Sequence, residues 1–130
     1  DGGQQRCFAH VRDVVASIVA LSDLVAGDEG TPRPSPGGPC VVNLGGDEPV
    51  TILDLARRVA AEVDPALRIE LRPYREVSGP DVDDCRRRVP DLARLRALLG
   101  TVARRPLEAI IRETVAWRRS RPPKDRTAES

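Results

Sequence analysis

The sequence predicts an α/β fold: a small mixed sheet of about three short strands with four helices, in the order β-α-β-α-β-loop-α-α. Three observations carry this reading. Ile52, Leu55, Ala56, Val59, Ala60 and Val63 recur with the spacing of one helical face. Leu67, Ile69 and Leu71 alternate with Arg68 and Glu70, the pattern of a half-exposed strand. Pro and Gly gather between the periodic stretches, where they interrupt helix and ladder alike.

The elements follow in order. Arg6 to His10 reads as a short strand. Val11 to Val25 reads as a helix whose apolar residues wrap more than one stripe, so burial on several sides is expected. Gly27 to Pro39, with four Pro and four Gly, reads as a surface loop. Cys40-Val41-Val42-Asn43-Leu44 reads as a second strand, closed by Gly45-Gly46. Thr51 is placed to cap the next helix, with Asp54 three residues on as a weak capping-box partner. Pro65 stops that helix, and Leu67 to Leu71 gives the third strand. Pro73 to Val89 is irregular and charged. Pro90-Asp91 opens a short helix bearing Leu92, Leu95, Leu98 and Leu99, ended by Gly100. Leu107 to Arg118 forms the last helix, with Trp117 as a partly buried packing residue. Residues 120–130 form a polar tail expected to fray. Three short strands make a thin sheet for so much apolar surface, so a self-sufficient domain is not expected.

Composition narrows the function. The chain has 130 residues, 40% of them hydrophobic, which suits one domain or a piece of a larger one. The apolar runs are far too short for a transmembrane helix. The first residues lack the basic and apolar regions of a signal peptide. Charge balances at +1, and the aromatics Phe8, Tyr74 and Trp117 are widely spaced, so no nucleic-acid partner is expected. Cys7, Cys40 and Cys85 are odd in number and far apart, which implies no disulfide framework and a reducing cytoplasm. Cys7 with His10 makes a lone C-x-x-H, short of the four ligands of a zinc site, so no metal is expected. His10 reads as structural.

Two stretches invite an anion. Gly45-Gly46 lies between strand and helix, but lacks a third Gly, and Asp47 and Glu48 would repel a phosphate there. A plain turn is the better reading. Arg86-Arg87-Arg88 follows Asp81, Asp83 and Asp84 in an irregular segment. A solvated charge run and a two-pronged grip on a diphosphate are both open on spacing alone.

Several separated segments resemble NAD-dependent sugar-nucleotide epimerases, dehydratases and decarboxylases, the extended short-chain dehydrogenase/reductase group. Asp1 to Phe8 is similar to the family's G-x-Q-x-R-x-F turn and strand. Val11-Arg12-Asp13-Val14-Val15 is similar to its V-x-D-V/L-V helix start. Val42 to Gly46, with Val50 to Ala56, resembles its F-N-I-G…T-I-x-E-L-A block. Arg87 to Asp91 with Leu95 to Gly100 resembles R-x-P-D…LLG, and Leu107-Glu108 with Ile110-Ile111 resembles the final L-E-x-I-I helix. The Arg-Cys-Phe detail and the acids before the Arg run look most like the UDP-glucuronate decarboxylase branch.

The resemblance implies that residues 1–119 are the C-terminal, sugar-nucleotide-binding subdomain of an extended Rossmann-type enzyme. It assigns the substrate-binding residues as Gln4, Arg6, Arg87 and Arg88, with Arg6 and Arg88 at the nucleotide diphosphate and sugar of a UDP-sugar. In the whole enzyme the chemistry would pass through a C4-keto intermediate with NAD as cofactor. The Gly-rich NAD motif and the Tyr-x-x-x-Lys pair are missing, since Tyr74 and Lys124 are the lone Tyr and Lys and stand far apart. This chain is therefore expected to bind no NAD and to carry no catalytic residue. Its partner would be a dinucleotide-binding half, with a homodimer of the full enzyme left open. The alternative is a non-catalytic nucleotide-sugar-binding or interaction module without that half. Thr101 and Ala103 depart from the W-x-P usual after the leucine helix.

Overall fold

The computed structural model describes residues 2–26, 41–73, 76, 85–100 and 104–121. Among them lie two strands, β1 (Gln5–Cys7) and β2 (Pro49–Thr51), and four helices: α1 (Val11–Ala26), α2 (Ile52–Val63), α3 (Ala93–Leu99) and α4 (Leu107–Arg119). The mixed α/β character and the four helices agree with the sequence. The expected loop from Gly27 to Pro39, Cys40 and most of the tail fall outside the described residues.

The sheet is smaller and differently built than the apolar pattern suggests. β1 pairs antiparallel with β2, placing Gln5 opposite Thr51, Arg6 opposite Val50 and Cys7 opposite Pro49. On its other edge β1 meets the arginine run. The Gln5 amide donates to the Arg86 carbonyl at 2.8 Å, and the Arg88 amide donates to the Gln5 carbonyl at 3.1 Å. This forms a single parallel bridge, Gln5 to Arg87. The expected strand at Arg6–His10 is thus shifted to Gln5–Cys7, because His10 instead supplies the carbonyl that accepts the Asp13 and Val14 amides at the start of α1. The expected strands at Cys40–Leu44 and Leu67–Leu71 do not form among the described residues. Alternation specifies which face a strand would bury; a ladder also needs a neighbouring edge. The edge of β1 that could have served is taken by Pro49–Thr51, where Pro49 sits at the first residue of a strand and costs no ladder bond.

Local chemistry fixes the helix ends. The Thr51 hydroxyl accepts the Asp54 amide at 3.1 Å, as the capping reading expects. The reciprocal arm of the box is absent, because the Asp54 carboxylate is held by Arg58 at 2.8–2.9 Å one turn on. At the other end of α2, Arg119 donates to the Val63 carbonyl at 2.9 Å, satisfying a group that has no partner inside the helix. Asp91 accepts the Ala93 amide at 2.8 Å before α3, and Gly100 ends α3 at φ 68°, where a side chain would be strained.

α2 packs on α4 and α1 packs on α3. Among the described residues the buried apolar side chains are Val50, Leu92, Leu95 and Ile111, a small core for that length. A polar cluster ties α1 to α4. Buried Asp13 accepts the Arg105 amide at 2.9 Å and pairs with the Arg105 guanidinium. His10 Nδ1 accepts the Arg12 amide at 3.1 Å, and its Nε2 faces Glu113 at 3.0 Å. Both ring nitrogens of His10 are thus engaged within this cluster. Two expectations about packing fail. Trp117 is 54% exposed, with the Arg121 guanidinium 4.2 Å from its ring centroid. One face of α1 also remains open, with Val11, Val15, Ile18 and Val19 exposed.

Candidate functional site

The arginine run places its side chains through the sheet. Parallel pairing of Gln5 with Arg87 makes Arg6 and Arg88 lateral neighbours. Alternation along a strand then sends both side chains to the same face. The two line one cavity of about 410 Å³, together with Cys7, Ala9, Asn43, Leu44, Gly45, Gly46, Val89 and Pro90. Gln4 and Arg87 do not line it. Gln4 spends its carbonyl on the Ile52 amide at 2.9 Å, and Arg87 is exposed one position out of phase with Arg88. Of the four expected site residues, the fold brings two together.

Among the described residues the cavity lining carries two cations and no carboxylate. Arg6 is braced by the carbonyls of Gln5 and Cys85, each 2.8 Å from the same guanidinium nitrogen. The Arg88 side chain makes no hydrogen bond or ion pair among the described residues. Neighbouring cavities differ. A larger one, about 490 Å³, holds Arg58, Arg104 and Arg105, but each of these faces an acid: Asp54 and Glu108, Asp47 and Glu48, and Asp13 respectively. A third, about 310 Å³, contains Asp47 against Arg96 and Arg104. Two guanidiniums converging on one cavity from distant segments offer an anion a two-pronged site.

The objection raised by Asp47 and Glu48 is met by the same pairs. Arg96 above all, with Arg104, holds the Asp47 carboxyl below the usual carboxylate range despite partial burial. Arg104 also pairs with Glu48. Both acids are therefore paired with arginines, and neither is among the residues lining the Arg6–Arg88 cavity. Burial, aided by the Asp47 charge and opposed by Arg87, pushes the Cys7 thiol up, so it lines the wall as a neutral group.

The glycine turn shapes the cavity floor. A Cβ on Gly46 would lie 2.2 Å from the Phe8 carbonyl oxygen, so only glycine lets this turn approach the end of β1. Asn43 is a cavity residue that sequence reasoning did not single out. Its side-chain amide donates to the Asp91 carbonyl at 3.1 Å, pinning the 41–44 segment beside the Val89-Pro90 wall. Its only signal in the sequence is a polar residue inside an apolar run.

No family model matches the chain. Comparison with individual proteins is more informative. The chain is 33% identical over 117 residues to a dTDP-4-dehydro-6-deoxy-D-allose reductase from Streptomyces bikiniensis, covering 90% of this chain and 30% of the relative. It is 34% identical over 100 residues to UDP-glucuronic acid decarboxylase 4 of Arabidopsis thaliana, covering 77% of this chain and 18% of that one. Its homologues are nucleotide-sugar enzymes. A solved structure agrees: TunA, an NAD-dependent NDP-hexosamine 5,6-dehydratase involved in tunicamycin biosynthesis, matches at a TM-score of 0.64 and 28% identity, over 94% of this chain and 34% of its own. The chain spans about a third or less of each of these relatives. None of its described helices is long and apolar enough to cross a membrane.

Proposed function

We propose that this chain is the sugar-nucleotide-binding portion of an NAD-dependent nucleotide-sugar epimerase, dehydratase or decarboxylase, and that its ligand is a UDP-sugar held by its diphosphate. One observation carries this reading: Arg6 and Arg88, distant in sequence, line a single cavity. A diphosphate needs cations converging from separate segments, and the planar guanidinium suits its oxygens. The relatives, all acting on nucleotide sugars by name, support the ligand class.

In this reading Arg6 and Arg88 bind the diphosphate, while Gln4 and Arg87 contribute through the backbone of the β1 ladder. NAD and the catalytic groups belong to the dinucleotide-binding half, because this sequence carries neither the Gly-rich NAD motif nor the Tyr-x-x-x-Lys pair. The protein acts in the cytoplasm, in keeping with the free thiols of Cys7 and Cys85. Titration of the chain with UDP and with uridine tests the proposal. UDP binds and uridine does not if the diphosphate is the recognised group. Equal binding, or none by either, contradicts it. The 130 residues alone give no turnover with NAD and a UDP-sugar; measurable turnover would overturn the division of labour.

A further inference from the structure

His10 is buried just before α1 begins, and it is the only histidine in the chain. Its carbonyl accepts the Asp13 and Val14 amides, and its Nδ1 accepts the Arg12 amide at 3.1 Å. The imidazole thus acts as the N-cap of α1, in the place more often taken by a Ser, Asp or Asn oxygen. That bond fixes the tautomer. A ring nitrogen that accepts carries no hydrogen, so the proton sits on Nε2, which faces the Glu113 carboxylate of α4 at 3.0 Å. Among the described residues the charged groups around the ring form one chain. Glu113 lies 3.9 Å from the Arg105 Nε, and Arg105 pairs with buried Asp13 of α1. Arg12 meets the ring through its main-chain amide.

We infer that His10 is an acid-operated latch on the first turn of α1: neutral, it holds the Arg12 amide; protonated, it releases that amide and stays with Glu113. An added proton has one place to go, the lone pair on Nδ1. That lone pair already accepts the Arg12 N–H, so protonation sets two donors against each other. Nothing is lost at Nε2, which donates in both states and gains a charge-assisted bond to the carboxylate. The Glu113 side chain is 46% exposed and can follow the ring outward, whereas the helix fixes the Arg12 amide. Ala9, beside His10, lines both the Arg6–Arg88 cavity and the smaller cavity that holds Asp47, Arg96 and Arg104. Release of the first turn therefore reaches the wall of the candidate site. Only this last effect rests on the proposed ligand; the latch does not.

Nuclear magnetic resonance of the full 130-residue chain tests the latch at about pH 8 and about pH 5.5, across the range in which histidine changes charge. The lone imidazole reports its own protonation, and hydrogen exchange, corrected for intrinsic rate, reports the Arg12 amide. Arg12 protection is expected to fall about fivefold as the imidazole titrates, the scale of one lost cap. His10→Asn keeps an acceptor near the Nδ1 position and does not titrate, so its Arg12 protection stays level at both pH values. His10→Ala has low protection at both; should it fail to fold, wild type and His10→Asn decide the matter. An imidazole that titrates with no change at Arg12 overturns the latch, as does one that stays neutral at the lower pH, or an equal fall in His10→Asn. UDP-glucose, whose diphosphate keeps its charge over this range, is the ligand probe. Binding that weakens at the lower pH in wild type and not in His10→Asn carries the effect to the cavity; an equal response in both contradicts it. No binding at either pH refutes the proposed ligand, while the Arg12 readout still decides the latch.

Discussion

Arg6 and Arg88 reach one cavity from distant segments of the chain because a single parallel bridge, between Gln5 and Arg87, sets the phase of both. Had the pairing slipped by one residue, Arg87 would take the place of Arg88 and Arg88 would face away. Register separates Arg87 from Arg88, and of the three arginines Arg88 lines the cavity with Arg6.

Gly46→Ala is expected to be costly. Its new methyl would fall 2.2 Å from the Phe8 carbonyl oxygen, where backbone and not a flexible side chain must yield. A loss of about 1–3 kcal/mol is expected from such overpacking. Urea denaturation measures it. The same variant should weaken UDP binding, since Phe8 directly follows the strand that carries Arg6.

Asp13→Ala removes the acceptor of both the Arg105 amide and its guanidinium from a buried position. Stability should fall by about 2 kcal/mol, the cost of losing hydrogen bonds to a charged group. Asp23→Ala is the matched control. Asp23 is exposed and unpaired among the described residues, so its loss should stay within about 0.5 kcal/mol.

Asp47 predicts an acid limb. Its folded carboxyl titrates below its ordinary value, held there by Arg96 and Arg104. The unfolded chain therefore binds the proton first as pH falls. The contribution of Asp47 to stability is present above the ordinary carboxylate range, near pH 4, and is lost as pH drops through the lower folded value. Asp47→Asn should flatten the stability profile between pH 4 and the acid end, read from denaturation midpoints at stepped pH. A profile identical to wild type would show that the ion pairs contribute nothing.

The thiols should react in a fixed order. Cys85 is exposed, while Cys7 is half-buried and its thiol is pushed up by burial and the Asp47 charge. Iodoacetamide at neutral pH should label Cys85 before Cys7, as peptide mass spectrometry of timed samples would record. The reverse order would contradict the cavity wall described for Cys7.

The helices were legible because each carries its own period and its own stop signals: the Ile52–Val63 stripe, the Thr51 cap, the Gly100 end. These are local features, and they survive whatever the rest of the chain does. The strands were not legible in the same way. Leu67–Leu71 alternates well and finds no edge, whereas Pro49–Thr51 shows almost no strand pattern and pairs because β1 lies beside it. The site was half legible. A run of three arginines announces charge, but which of them enters a cavity depends on the bridge at Arg87, a contact between distant segments. The neutralisation of Asp47 and Glu48 by Arg96 and Arg104 was equally invisible, for it too joins remote positions. Exposure of the α1 stripe reflects the same limit: its apolar content declares burial without naming what does the burying.

Calorimetric titration of UDP into the wild-type chain and into Arg88→Ala tests the central claim most directly. Loss of about 1.5–3 kcal/mol of binding free energy, with Arg87→Ala close to wild type, is the result expected for a charge-assisted contact made by Arg88 and not by its neighbour. Unchanged affinity in Arg88→Ala, or an equal loss in Arg87→Ala, would contradict it.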